Sequence, residues 1–576
     1  MRGAVPADGH ASEMAGAARA GVRAFTRGVA QAPHAPAAAA WLAASPPPAW
    51  APRPAAAPVA ARASGPGRGP VDRGQGSVRG FASSSSAGDQ PAPPDPDPEP
   101  GAALLAWLAS LGGSAPGVTV APSPLGGAGL VTTSAAQQGT LLVSVPRAAL
   151  VSAGGLPPNP TPAEAAALPF SADAVTSLAS AIPAELWGAR LALGLLAHRA
   201  AGPASPVAPY LAALPATFST PLFFSPAAVR AVQYAPLVAQ IDKRARWVAA
   251  FARQHLADLG RDGRPDPFNG VTVDAGGLAW ALSAVTSRAF RLGGPGSAPA
   301  LVPVIDMCNH EGGSPGAKVV PGPGGSVILV AARALAASAP VTISYGDALP
   351  NDDLLGDYGF MPDFGSAALN PADCVKFRLD AGLLTASAAL AGVEVEEGSP
   401  APWRLAAAAG AGVAAAFTAG GGAGVEAAIT AAPPHAEPRL LAAARLAAAA
   451  SPSDLGAGAG APALLGDPAH PLASPPAEAA AWRLVAALCV GSLAAFPTTA
   501  GEDRAALAAG GLAPDVAAAT ALAAGKKELL AAAAQWAGAK AQAAEGGGGG
   551  GGGGGGPKAR GPPRAATAKG FGRKAL

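Results

Sequence analysis

The chain has 576 residues, 76 of them Gly and 62 Pro, so a sizeable part of it cannot join a packed core. Lys and Arg number 39 against 37 Asp and Glu, a formal net charge of +2, and no global field points to nucleic acid or to an anionic membrane. Three cysteines, Cys308, Cys374 and Cys489, stand far apart with no CxxC pair and no His at ligand spacing, which argues against a structural zinc, any other metal site or a disulfide framework.

Residues 1–88 read as an organelle transit peptide. Within 1–80 there is no Lys, the only acids are Asp8, Glu13 and Asp72, and arginines recur from Arg19, Arg23 and Arg27 through Arg53, Arg62, Arg68, Arg73 and Arg79. "RAGVRAFTRGVAQA" (19–32) suits a short basic amphipathic helix, and "VRGFASSSS" (78–86) sets an Arg before a small-residue run where a processing protease could cut. Plastid and mitochondrial presequences share these features. A disordered tail with no address is the plainer alternative. An acidic Pro-rich linker, 89–102, follows.

Folding signals begin at "ALLAWLASLGG" (103–113), and 117–152 alternates apolar or β-branched residues with turn residues, the pattern of several short strands. From about 160 to 265 the period becomes helical, with apolar residues at i, i+3 and i+4 in "PAELWGARLALGLLAHRA" (183–200) and "IDKRARWVAAFARQHLADLG" (241–260). A bilayer span needs about 20 consecutive apolar residues. "LWGARLALGLLAHRA" (186–200) comes nearest but is interrupted by Arg190, His198 and Arg199, so no span is expected. Strand character returns in "VPVIDM" (302–307), "VVPGPGGSVILVAA" (319–332) and "PVTISYG" (340–346), a split β region with a helical insertion. Beyond about 366 the chain is Ala-rich and helical to 545, and 546–576 is a Gly-rich basic tail that reads as solvated.

In "ALVPVIDMCNHEGGSPG" (300–316) an apolar run ends abruptly at Asp306, Asn309 and His310, and glycines turn the chain at once. Taken alone, these residues fit a satisfied turn as well as a ligand site. Two further segments belong with them: "AVTSRAF" (284–290) and "VTISYGDALPNDDLLGDYGF" (341–360), the latter holding Tyr345 and Tyr358, two of only four tyrosines in the chain.

In order and spacing these three segments resemble the SET-domain protein methyltransferases, in the branch of the Rubisco large-subunit lysine methyltransferase. "GGAGLVTT" (126–133), "PYLAALPATFSTPLFF" (209–224), "FPTTAGEDRAAL" (496–507) and "AGKKELL" (524–530) fit the same pattern, so the resemblance spans about 103–540. It implies an α+β fold. A SET-domain β fold with a pseudoknot and the helical insertion would occupy 103–365, and an all-α substrate-binding domain 366–545.

The resemblance also implies roles. S-adenosylmethionine would be the methyl donor, with Asn309 at its methionine end, His310 at its adenine, Arg288 at its carboxylate, and Gly126, Gly127 and Ala128 offering backbone to it. Tyr345 and Tyr358 would be catalytic. They would also contact the substrate lysine, together with Arg288 and Asp306.

Methyl transfer from a sulfonium requires a neutral amine in line with the S–CH3 bond, so positioning carries most of the catalysis. A lysine near pKa 10.4 must lose its proton to desolvation and the nearby sulfonium charge, and no dedicated base is required. The implied partner is a plastid protein such as Rubisco large subunit or aldolase, modified by a monomer. A histidine or non-plastid target is one alternative, and a catalytically silent SET-like binding module is another. Two departures bear on substrate identity: the first glycine turn holds only Gly126-Gly127-Ala128-Gly129, and "GAKVVPG" (316–322) lacks the aromatic residue some relatives place in the lysine pocket.

Overall fold

The computed structural model describes residues 100–546 apart from 124–126, 262, 293–297, 347, 363–368, 396–399, 419–423 and 457–461. The transit segment, nearly all of the linker, Gly126 and the tail beyond 546 therefore lie outside the described residues.

The β region is a set of small sheets rather than one large one. Strands β1 (Val118–Pro122) and β2 (Ala128–Thr132) form an antiparallel hairpin, with Ala121 opposite Gly129. Strand β3 (Leu141–Val145) joins the hairpin β7 (Ala317–Pro321) and β8 (Val327–Ala331) in the order β3-β8-β7. Alternate residues of β8 are buried, so its "VILVA" puts Val327, Leu329 and Ala331 into the core. Strands β4 (Ala289–Arg291) and β5 (Pro299–Leu301) pair antiparallel. The two-residue strands β6 (Asn309–His310) and β9 (Thr342–Ile343) pair in parallel, Asn309 opposite Thr342 and His310 opposite Ile343.

Sequence reading placed a strand over "VPVIDM", and the structure differs. The strand stops at Leu301, Val304 takes φ +72°, and Ile305–Met307 is a single 3-10 turn before β6. Pro303 has no N–H for a ladder, and the Val302 carbonyl instead accepts from Asp306 N at 3.0 Å. That turn redirects the chain and seals the Asp306 side chain inside.

The helical insertion packs on the sheets through helix α1 (Trp187–Ala201), which is buried on nearly all sides and lies against α2 (Ala275–Arg288). Asp274 caps α2 by accepting from Gly277 N at 2.7 Å, and the helix ends on Arg288. Between them, helix α3 (Ala235–Phe251) presents Leu237, Ile241, Ala245, Val248 and Phe251 to the core at helical spacing.

The second domain is helical, but it also contains a two-stranded antiparallel sheet, β10 (Cys374–Leu379) with β11 (Val425–Thr430), that an all-α reading omits. "VEAAIT" mixes β-branched Val425, Ile429 and Thr430 with helix-favouring Glu426, Ala427 and Ala428, and pairing with β10 settles it as a strand. Helix α4 (Pro475–Ala494) is long and apolar enough to cross a bilayer, unlike 186–200, yet 72% of its apolar window is buried inside the protein. Its neighbours are α5 (Pro438–Ala448) and the last helix, α6 (Pro514–Gly546). Helix α6 also reaches back to the first domain, where it packs on the helix Pro226–Val232.

Candidate active site

Parallel pairing of β6 with β9 brings "NH" alongside "SYG", two segments 35 residues apart: Tyr345 N donates to His310 Nδ1 at 3.1 Å. That contact needs a lone pair on Nδ1. Burial lowers the imidazole pKa, so His310 is neutral near pH 7. The Tyr345 hydroxyl donates to the Cys308 carbonyl at 2.8 Å. With its proton committed there, the phenol oxygen offers the site only acceptor lone pairs.

Tyr358 stacks on Tyr345, ring centroids 4.6 Å apart and planes at 20°, and Phe360 stands edge-on at 6.4 Å from each. His310 completes the cluster, 5.1 Å from Tyr345. Burial pushes both tyrosine hydroxyls well above their ordinary pKa, so neither ionises near neutrality. The cluster is an aromatic wall with hydrogen-bonding oxygens, suited to an alkyl stem ending in an amine and to a cationic centre.

Tyr358 ends the helical turn 351–358, which is clamped from behind. Arg244, on α3, donates to the Gly356 carbonyl at 3.0 Å and pairs with Asp357 at 2.7 Å. The turn closes at Gly359, whose φ is +79° and where a Cβ would meet the Ser219 carbonyl carbon at 2.7 Å, so only glycine fits. An apolar cavity of about 200 Å3 lies on the far side of this turn, lined by Leu222, Leu237, Ile241, Trp247 and Gly356 but not by Tyr345, Asn309 or Arg288. It is separate from the aromatic cluster.

Arg288 enters at the end of α2. Its Nη1 donates to the Asp306 carbonyl at 3.0 Å and lies 3.7 Å from Asp306 Oδ2, while its buried Nε has no hydrogen-bond partner. Asp306 is the counter-charge. Its carboxylate is fully enclosed and Oδ1 also lacks a partner. Burial raises its pKa to about 6, against the opposing pull of Arg288 and of Tyr210. A substrate-contacting role for Asp306 does not fit this enclosure, because the 3-10 turn points the side chain inward to Tyr210 and Arg288.

Of the glycine turn, Gly127 has φ +63° and open space where a Cβ would go, and Ala128 is exposed at the start of β2. The close approach occurs one residue later, where a Cβ on Gly129 would sit 2.7 Å from Asn309 Nδ2. Arg288, Asn309, His310, Tyr345 and Tyr358 thus fall in one neighbourhood, with Asp306 sealed behind it. Sequence reading passed over Gly129, Phe360, Tyr210, Arg244 and the Cys308 carbonyl. Only Phe360, inside the "DYGF" segment, and Gly129, inside the glycine turn, carried a local signal.

These residues fit a cofactor with an amino-acid end. A carboxylate would pair with the Arg288 guanidinium, whose side chain keeps 17% of its surface exposed, and the missing side chain at Gly129 lets the backbone of β2 come close to the Asn309 amide.

Residues 397–530 match the family model described as Rubisco LSMT substrate-binding. Among solved structures, the SET domain of LSMT bound to lysine and AdoHcy is similar at TM-score 0.55 and 18% identity, over 77% of this chain and 92% of that one. Rubisco LSMT bound to AdoMet is similar at TM-score 0.54 and 19% identity, over 78% of this chain and 92% of that one. No curated protein matches the chain by sequence. At these identities the structural likeness establishes the fold: a SET-type α+β domain followed by a helical domain.

Proposed function

We propose that this chain, a Rubisco LSMT-like SET-domain protein, is an S-adenosylmethionine-dependent protein-lysine N-methyltransferase. The observation that carries the reading is the Tyr345 hydroxyl: it gives its proton to the Cys308 carbonyl, is stacked on Tyr358, and belongs to the cluster of His310 and Phe360. S-adenosylmethionine supplies an electrophilic methyl on a sulfonium. Arg288 takes its carboxylate, Asn309 its methionine end beside Gly129, and His310 its adenine side.

The protein's own residues then act by orientation. The Tyr345 oxygen accepts an N–H from the substrate amine and leaves the nitrogen lone pair free to point at the methyl group. The rings of Tyr345, Tyr358 and Phe360 exclude water and hold the lysine stem, and the same dry surroundings favour the neutral amine. Tyr345, Tyr358 and His310 are all neutral at pH 7, and the Asp306 carboxylate is sealed away, so none of them takes the lysine proton as a charged base. Proton loss before transfer, driven by desolvation, is the route that remains for them.

The partner is a folded protein held by the helical domain over 397–530, the segment that matches the substrate-binding model. A plastid protein such as Rubisco large subunit or aldolase is the proposed target, with residues 1–88 as the import signal and a monomer as the working form. Incubation of the full chain with methyl-labelled S-adenosylmethionine and a chloroplast stromal extract, followed by mass spectrometry, should place the label on a lysine of one stromal protein. Absence of label, or label only on histidine, would contradict the reading. A fusion of residues 1–90 to a fluorescent protein should enter plastids, and cytosolic or mitochondrial fluorescence would refute that address.

A further inference from the structure

Tyr210 lies in the short helix Ala208–Ala213 of the insertion, wholly buried, and donates its hydroxyl proton to Asp306 Oδ2 at 2.6 Å across 96 residues of sequence. The same Oδ2 stands 3.7 Å from Arg288 Nη1, and the Asp306 backbone carbonyl accepts from that nitrogen at 3.0 Å. Three elements meet here: the insertion, the end of α2, and the 3-10 turn before β6. The charged and titratable groups acting on the carboxylate are Tyr210, Arg288, Cys308 and Tyr345.

A packing role would need only the Tyr210 ring. The hydroxyl does more, because a short bond to an enclosed carboxylate fixes where that negative charge stands, and the charge in turn constrains the guanidinium beside it. Asp306 Oδ1 and Arg288 Nε are both left without hydrogen-bond partners, so the pair is held near each other without being consumed by each other. An Arg fully engaged by its own aspartate would have nothing to offer a ligand carboxylate.

We infer that Tyr210 and Asp306 are positioning residues that aim Arg288 at the carboxylate of the methyl donor, so that the helical insertion helps set cofactor affinity. The identity of the ligand rests on the proposed function, whereas the connection from Tyr210 through Asp306 to Arg288 does not.

The test uses the full chain carrying Tyr210→Phe, with calorimetric titration of S-adenosylmethionine and of 5′-methylthioadenosine, which has the nucleoside and thioether but no amino-acid end. The Asp306 carboxyl is followed by NMR of 13C-labelled aspartate without ligand. Loss of a hydrogen bond to a charged group predicts about tenfold weaker S-adenosylmethionine binding. Methylthioadenosine should bind as in the wild type, and the Asp306 titration should move upward from about 6. Unchanged S-adenosylmethionine affinity, or equal losses for both ligands, overturns the inference. Asp306→Asn, which retains an acceptor for the tyrosine, should show the same ligand selectivity, and stands in if Tyr210→Phe does not fold. A wild-type protein that binds neither ligand, while Tyr210→Phe still shifts the Asp306 titration, overturns the proposed function and leaves the positioning chain standing.

Discussion

Two buried charged regions of this protein are built on opposite terms. Where the last helix meets the first domain, Lys526 is fully enclosed, and its ammonium donates at 2.7 Å to Asp352, to Asp373 and to the Cys374 carbonyl. Its neighbour Lys527 is as buried, and donates to Asp503 at 2.5 Å, Thr498 at 2.8 Å and Gln233 at 2.9 Å. Burial alone would lower the Lys526 pKa, but Asp352 and Asp373 outweigh it and hold the ammonium above its ordinary value. At Arg288 and Asp306 the pairing is incomplete, with one buried polar atom on each side chain left over. The fully paired lysines join two domains, whereas the Arg288–Asp306 pair keeps hydrogen-bonding capacity in reserve.

The largest effect expected from that contrast is at the satisfied site. Lys526→Met leaves Asp373 buried without its cation and Asp352 with Lys376 alone, a change worth about 3–5 kcal/mol. Chemical denaturation should show a loss of that size, together with weaker attachment of the last helix by hydrogen exchange. A loss below about 1 kcal/mol would mean the cage is solvated and the contrast false.

Asp306 should behave in the opposite sense. Its folded pKa of about 6 lies above the ordinary carboxyl value of 3.8, so the folded state binds the extra proton between those values and stability falls as pH rises from about 4 to 6. Asp306→Asn lacks that titration. Relative to wild type, the variant should therefore gain about 2–3 kcal/mol between pH 4 and pH 7, measured by denaturation at each pH. A flat difference would show that Asp306 is not desolvated in the way its enclosure implies.

Smaller effects belong to the ligand side. Asn309→Ala removes an amide from the rim of the site without opening the core, so S-adenosylmethionine affinity should fall about tenfold with little change in melting temperature. Calorimetry with equal affinities would remove Asn309 from the cofactor site. Tyr358→Phe should change the rate least and the product most, because a lost hydroxyl gives room for an already methylated amine. Mass spectrometry should find a shifted balance of mono-, di- and trimethyl-lysine.

The comparison also explains what was legible in the sequence. Helical period marked α1 and α3, strand character marked the β7–β8 hairpin, and the order of "SRAF", "DMCNHE" and "SYG…DYGF" was enough to group Arg288, Asn309, His310, Tyr345 and Tyr358. Local pattern cannot reveal tertiary pairing. "AGKKELL" falls in the helical domain with nothing to mark its lysines as interior, yet both are buried because acids 153 and 174 residues away, and another 24 away, meet them. Nothing local to Tyr210 pointed to its bond with Asp306, 96 residues away, and β11 fell in the Ala-rich region read as helical until β10 paired with it. Val304 at positive φ, which turns Asp306 inward, has no counterpart in residue preference, since a β-branched residue is among the least suited to that conformation.

The account depends most on the Tyr345 oxygen as an acceptor for the substrate amine. Single-turnover methyl transfer by Tyr345→Phe, at saturating S-adenosylmethionine and on the lysine identified with wild-type enzyme, tests it directly. The ring and its stacking survive that substitution and only the oxygen is lost, so the rate should drop about a hundredfold while cofactor affinity stays within about twofold. A wild-type rate in that variant would contradict the account.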